Sequence, residues 1–216
     1  MKIQKIYEKY KVMPQLQMHM LRVAGVANLI CNNFNEEIDT RAITNSCLLH
    51  DIGNIVKFKL ERFPEFLSPQ GYEYWEDVQN EFVKRYGNDD YTATYKILTE
   101  MGINKKIFDY IQAIEFIKAE ENSKNKDFNK KIILYSDARV SPKGITSLQD
   151  RVSEVKNRFI KNRKISEDRF NTISDCLIDI EWQIISRSKI KPQDITEQQV
   201  NPLLVSLRDF EIQTHR

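Results

Sequence analysis

The chain has 216 residues, with 33 lysines and arginines against 31 aspartates and glutamates, six glycines, six prolines and three histidines. Glycine and proline normally make up about 12% of a chain, and so few turn-formers exclude sandwiches, barrels and propellers, which need a turn every ~8–12 residues. The net charge of +2 removes the basic stripe of a dedicated nucleic-acid binder, and no run approaches the ~18 apolar residues of a membrane span.

A hydrophobic fraction of 41% supports a folded core, and the chain is read as all-α. The segment before Pro14 mixes charged and apolar residues and lacks the h-region of a secretory signal. Pro14 opens an amphipathic helix in which Leu16, Met20, Val23, Ala27 and Ile30 recur at spacings of four and three. A second helix starts near Asp39, a suitable N-cap, and carries Ile43, Cys47, Leu48 and Leu49 up to His50, with Gly53 placed to end it. Phe63 to Gly71 reads as a loop, followed by the aromatic stretch Tyr72, Tyr74 and Trp75. Gly87-Asn88-Asp89 marks a turn whose aspartates cap a helix running through Met101. Helices then fit 104–118 and 128–139, split by the solvated run from Glu120 to Asp127; the second stops before Ser141-Pro142.

After Gly144, helices fit 147–163 and 166–187, the latter capped by Ser166 and seamed by Phe170, Ile173, Leu177, Ile180 and Ile184. Asn201-Pro202 starts a last short helix carrying Leu203, Leu204, Leu207 and Phe210. Residues 1–146 are taken as one helical domain, and 147–216 as a helical extension packed on it and a candidate homodimer surface. Cys31, Cys47 and Cys176 are widely spaced in apolar helical contexts without a CxxC pair, which suits a reducing cytoplasm.

Chemistry concentrates at His50-Asp51. The dipeptide alone carries little weight, but it follows Cys47-Leu48-Leu49 at the inner end of a helix. An imidazole and a carboxylate placed there need a partner, because burying them unpaired is costly. A divalent cation is one such partner, and further ligands are available. His19 lies beside the apolar stripe of the first long helix, and Asp137 is the one acid of an apolar helical segment. Two imidazoles and two carboxylates suit Mn, Fe, Co, Ni or Zn, and Mg less well. Taken singly, His19 also reads as a structural core histidine and Asp137 as a cap or ion-pair partner. His215 reads as a solvated tail residue.

On these residues the chain resembles the HD-domain metal-dependent phosphohydrolases. His19 followed by Arg22-Val23-Ala24, then Leu48-Leu49-His50-Asp51-Ile52-Gly53, then Asp137, is similar to their H…HD…D signature over roughly residues 14–142. Between these landmarks, 31 positions separate His19 from His50 and 86 separate Asp51 from Asp137. The resemblance implies an HD-type helical bundle, one divalent metal held by His19, His50, Asp51 and Asp137, and hydrolysis of a phosphate ester or pyrophosphate, often of a nucleotide, by a metal-activated water. Two-metal relatives carry extra histidines between the HD pair and the last aspartate, and residues 52–136 contain none; Asp89 and Asp90 read as helix-capping residues, with an oxygen ligand as the alternative. Asn54 stands where some relatives place a catalytic acid or lysine, so it joins Asp51 and Arg22 as a candidate catalytic position.

Charge developing on phosphoryl oxygens calls for cations. Arg22, one turn from His19, is the first candidate; Lys57, Lys59 and Arg139 follow, each with ordinary surface charge as the other reading. Tyr72, Tyr74 and Trp75 read as core packing, with base stacking as the alternative, and Glu73, Glu76 and Asp77 as weak candidates for proton donors. The expected partner is a small phosphorylated molecule, foremost a nucleotide, rather than a membrane or a long nucleic acid, which needs a concentrated basic surface. The alternatives are an HD scaffold that binds or senses a nucleotide without turnover, a phosphodiesterase acting on RNA or a cyclic nucleotide, and a helical interaction protein.

Overall fold

The structure, a computed structural model, describes residues 1–161 and 165–214. His215 and the end of the helix expected over 147–163 lie outside the described residues. The central element is α2 (Pro14–Cys31), preceded by a short α1 (Ile3–Lys9). Proline occupies the first position of α2, where its missing N–H forfeits no helical bond. Leu16, Met20, Val23, Ala27 and Ile30 are all buried, as their spacing requires. In α1, which the charged opening segment does not announce, Ile3, Ile6 and Tyr7 are buried, and the Tyr7 hydroxyl donates to the Leu48 carbonyl at 2.7 Å.

Three helices surround α2: α3 (Thr40–Leu49), α8 (Phe128–Ala138) and α11 (Glu197–Arg208). The Asp39 side chain caps α3 by accepting the Ala42 N–H at 2.9 Å. Gly25 lets α11 lie close to α2, since a Cβ there would stand 2.5 Å from the Val200 side chain. Between α3 and α8 the chain runs through 3-10 turns at Asn54–Lys57, Leu60–Arg62 and Pro64–Leu67. It continues through α4 (Tyr72–Tyr86), α5 (Asp90–Glu100), α6 (Lys105–Gln112) and α7 (Ala119–Lys124).

Three of these differ from expectation. The aromatic stretch opens α4, whose Trp75, Val78, Phe82 and Tyr86 face the core. α6 ends well before 118, and α7 occupies the run expected to be solvated. It is helical because Ala119 and Asn122 are buried, with the Asn122 amide donating to the Ala113 carbonyl at 2.8 Å.

After α8 a two-residue hairpin, β1 (Val140–Ser141) and β2 (Gly144–Ile145), turns the chain into α9 (Leu148–Lys161) and α10 (Glu167–Ile185). Gly144 has φ +128, in the region that favours glycine. Ser166 caps α10, and its five predicted seam residues are buried. α11 starts at Glu197 with Thr196 as its cap, four positions before the expected Asn201, and contains Pro202. One apolar cluster reaches from Ile3 through α2, α3 and α8 to α10, α11 and Ile212. Among the described residues no helix is long and apolar enough to cross a membrane.

Candidate metal centre and its cleft

His50 sits at the C-cap of α3, where its ring Nδ1 lies 2.8 Å from the Cys47 carbonyl. A carbonyl only accepts, so Nδ1 carries the proton and Nε2 is turned toward α2. A ligating imidazole is normally fixed by this kind of backbone contact. There it meets His19 of α2, Nε2 to Nε2 at 3.3 Å. Asp137, the penultimate residue of α8, brings Oδ1 to 3.1 Å from His19 Nε2 and 3.6 Å from His50 Nε2. Asp51, one residue past His50, places Oδ2 3.8 Å from His19 Nε2 and 3.7 Å from His50 Nε2. Among the described residues, His19, His50 and Asp51 form the one group of three or more potential metal ligands whose donor atoms all lie within 4.8 Å of one another.

These separations can be tested against an ion. Donors bonded at about 2.1 Å stand roughly 3.0 Å apart at right angles and about 3.4 Å apart at tetrahedral angles. The observed spread of 3.1 to 3.8 Å is close to both. The two carboxylates together carry the charge that a dication neutralises. Without a metal a proton does part of that work. Burial opposes charge on His50, but the Asp51 and Asp137 carboxylates outweigh it and push its pKa up to about 9. Burial likewise opposes charge on Asp137, yet hydrogen bonds from His19 and His50 hold it well below the usual carboxylate range. The residues present fit a divalent cation.

Gly53 explains how the turn after Asp51 packs. A Cβ there would lie 2.5 Å from the backbone nitrogen of Thr94, and the Gly53 N–H donates to Thr94 Oγ1 at 3.2 Å. The absence of a side chain lets the His-Asp turn rest directly on α5.

His19 and Asp51 open onto a cleft of about 610 Å³. Arg22 and Asn54 line it beside them, and so do Lys57 and Lys59. Lys57 is ion-paired with Asp90, and Arg22 Nε lies 3.1 Å from Glu197 Oε1. Asp89 caps α5, accepting the Thr92 N–H at 2.8 Å; the two acids of that turn are thus engaged locally.

Arg139 does not reach the cleft. It is buried, and its guanidinium donates to the carbonyls of Thr146, Pro192 and Ile195 and to the Tyr135 hydroxyl. It ties the end of α8 to the turn before α11. Glu73, Glu76, Asp77, Tyr72, Tyr74 and Trp75 do not line the cleft either; Trp75 is in the core, its ring N–H donating to Leu67.

Several lining residues escape the sequence reading. Phe58, Phe63 and Phe66 form an aromatic wall, with Phe63 and Phe66 stacked at 5.1 Å between centroids. Arg62 and Arg151 add positive charge, the latter paired with Glu154. The signal for the wall is the phenylalanine-rich stretch 58–66 itself, which has no helical or strand period and so reads only as a loop.

A family model described as HD domain matches residues 17–153. No curated protein and no solved structure matches the chain.

Proposed function

The chain belongs to the HD-domain family, and on that premise we propose that it is a metal-dependent phosphohydrolase acting on a small phosphorylated molecule, foremost a nucleotide. The observation that carries this is the convergence of two imidazoles and two carboxylates at the edge of a cleft walled by cations and phenyl rings. His19, His50, Asp51 and Asp137 would hold one divalent ion. Their nitrogen and oxygen donors suit Mn, Fe, Co, Ni or Zn better than Mg. Such an ion supplies a Lewis acid and an activated water when bound.

The chain's own residues do the rest. His50, fixed by Cys47, presents one defined nitrogen. Asp51 is both ligand and anchor of the turn that positions Asn54. Asn54 has an amide that orients a substrate or water by hydrogen bonding but has no proton to give at neutral pH. Arg22, beside His19, faces the phosphoryl group, and Lys57 and Lys59 attract the remaining phosphate charge along the same wall. Arg62 and the Phe63–Phe66 pair suit a flat aromatic base.

The same reading takes residues 1–146 as the catalytic domain and 147–216 as an extension that shares its core. A cytoplasmic location suits the three free cysteines. A homodimer through the last helices would cover Trp182 and Val205, which are 68% and 72% exposed.

The test is phosphate release from nucleoside mono-, di- and triphosphates by protein loaded in turn with each of these metals. Turnover of at least one substrate, lost in His50→Ala and Asp51→Ala while circular dichroism is retained, supports the proposal. Tight nucleotide binding without turnover for every metal would contradict it and favour a sensing module.

A further inference from the structure

Glu197, the first residue of α11, lies outside the matched span of residues 17–153. It nonetheless reaches the cleft's arginine. Glu197 Oε1 lies 3.1 Å from Arg22 Nε and accepts the Ile145 N–H of the hairpin at 3.0 Å. The third side of this junction is Gly144, where a Cβ would stand 2.5 Å from Glu197 Oε1 and 4.0 Å from the Arg22 guanidinium carbon. Glycine at this position is what allows carboxylate, hairpin and guanidinium to meet.

The geometry is specific about which part of the arginine is held. Arg22 Nε is buried, faces the carboxylate and makes no hydrogen bond, so the attraction is between charges rather than through an aligned N–H. Among the described residues nothing else pairs with Arg22. Its terminal amino groups remain available on the cleft wall, one helical turn from His19. A guanidinium held from its Nε side keeps its two-pronged end for an anion, the arrangement in which arginine binds phosphate through paired hydrogen bonds.

We propose that Glu197 is a positioning residue: it acts through Arg22, aiming the guanidinium fork at the phosphoryl group of the substrate, so that the C-terminal helix completes a site whose metal ligands all come from the family domain. This rests on Arg22 facing the phosphoryl group, as argued above. The competing role for Glu197 is that of an ordinary first-turn acid, which stabilises α11 through the helix dipole and would act on stability independently of Arg22.

A double-mutant cycle separates the two. Glu197→Gln keeps an oxygen for the Ile145 N–H and removes the charge facing Arg22. It is compared with Arg22→Ala and with the double variant, using manganese-loaded protein, the best nucleotide of the panel and, separately, inorganic phosphate in titration calorimetry. Residues that work through one another are strongly non-additive, so Glu197→Gln should lower kcat/KM and phosphate affinity about tenfold in the wild-type background and less than about twofold in the Arg22→Ala background. The loss should fall mainly on KM. Equal losses in both backgrounds, or no loss in the wild type, would overturn the proposal. If the wild-type protein hydrolyses nothing, the phosphohydrolase reading fails by itself and the phosphate titrations still decide the coupling. If the wild type neither hydrolyses a nucleotide nor binds phosphate, both readings fall.

Discussion

His19 and His50 face each other nitrogen to nitrogen, Nε2 to Nε2 at 3.3 Å, from helices that meet at the centre of the bundle. Two imidazole lone pairs do not approach this closely with nothing between or beside them. A proton or a cation has to resolve the contact, and the carboxylates of Asp51 and Asp137 favour either.

The first prediction concerns that exchange. In metal-free protein the His50 pKa is raised from 6.5 to about 9, so the ring is protonated at pH 7. Because the folded value is the higher one, the stabilisation linked to this proton is fully present below pH 6.5 and is lost as pH rises through about 9. A metal must displace the proton, so affinity for manganese should climb with pH up to that value and then level off. Calorimetry in two buffers of different ionisation enthalpy should count about one proton released per metal at pH 7, falling to about half at pH ~9. Metal uptake at pH 7 with no buffer dependence would contradict a proton on His50 in the metal-free protein.

Arg139 gives the second prediction. Its guanidinium satisfies three backbone carbonyls and the Tyr135 hydroxyl inside the protein. Arg139→Ala leaves those acceptors buried without a donor, which should cost about 3 kcal/mol or more of stability. Urea denaturation measures it directly. A variant of full stability with a large rise in KM would restore Arg139 as a substrate contact and contradict its structural role.

Phe63 carries the third. Stacking a base on an aromatic side chain is worth ~1–3 kcal/mol, so Phe63→Ala should lower kcat/KM for a nucleotide by about 5- to 150-fold. It should change turnover of an aliphatic phosphate ester by less than about threefold, since that substrate gains nothing from stacking. Equal losses for both substrates would mean that the aromatic wall only shapes the cleft.

Part of this molecule is legible in its sequence. The four-and-three repeat of α2 and the caps Asp39 and Ser166 follow from local chemistry, because apolar period and N-cap bonding act within a few residues. His19, His50 and Asp51 can be paired through a family signature, and the structure brings them and Asp137 within a few ångströms of one another. What escapes depends on contacts between distant parts of the chain. Arg139 and Lys57 look alike in sequence. One is enclosed because residues 146, 192 and 195 pack around the end of α8, and the other stays at the rim beside Asp90. The helix α7 follows from the burial of Asn122, which its charged neighbours conceal, and the meeting of Glu197 with Arg22 spans most of the chain. In α4 a signal is present, since Trp75, Val78, Phe82 and Tyr86 recur at three and four; the density of aromatic and charged residues around them obscures it.

Metal bound per chain, measured by elemental analysis after incubation with manganese and removal of free ion, decides whether His19, His50, Asp51 and Asp137 act as one metal site. About one ion is expected in the wild-type protein, and close to none in His50→Ala with the same circular dichroism. A wild-type chain that retains no metal, or a His50→Ala variant that retains as much, would contradict that assignment.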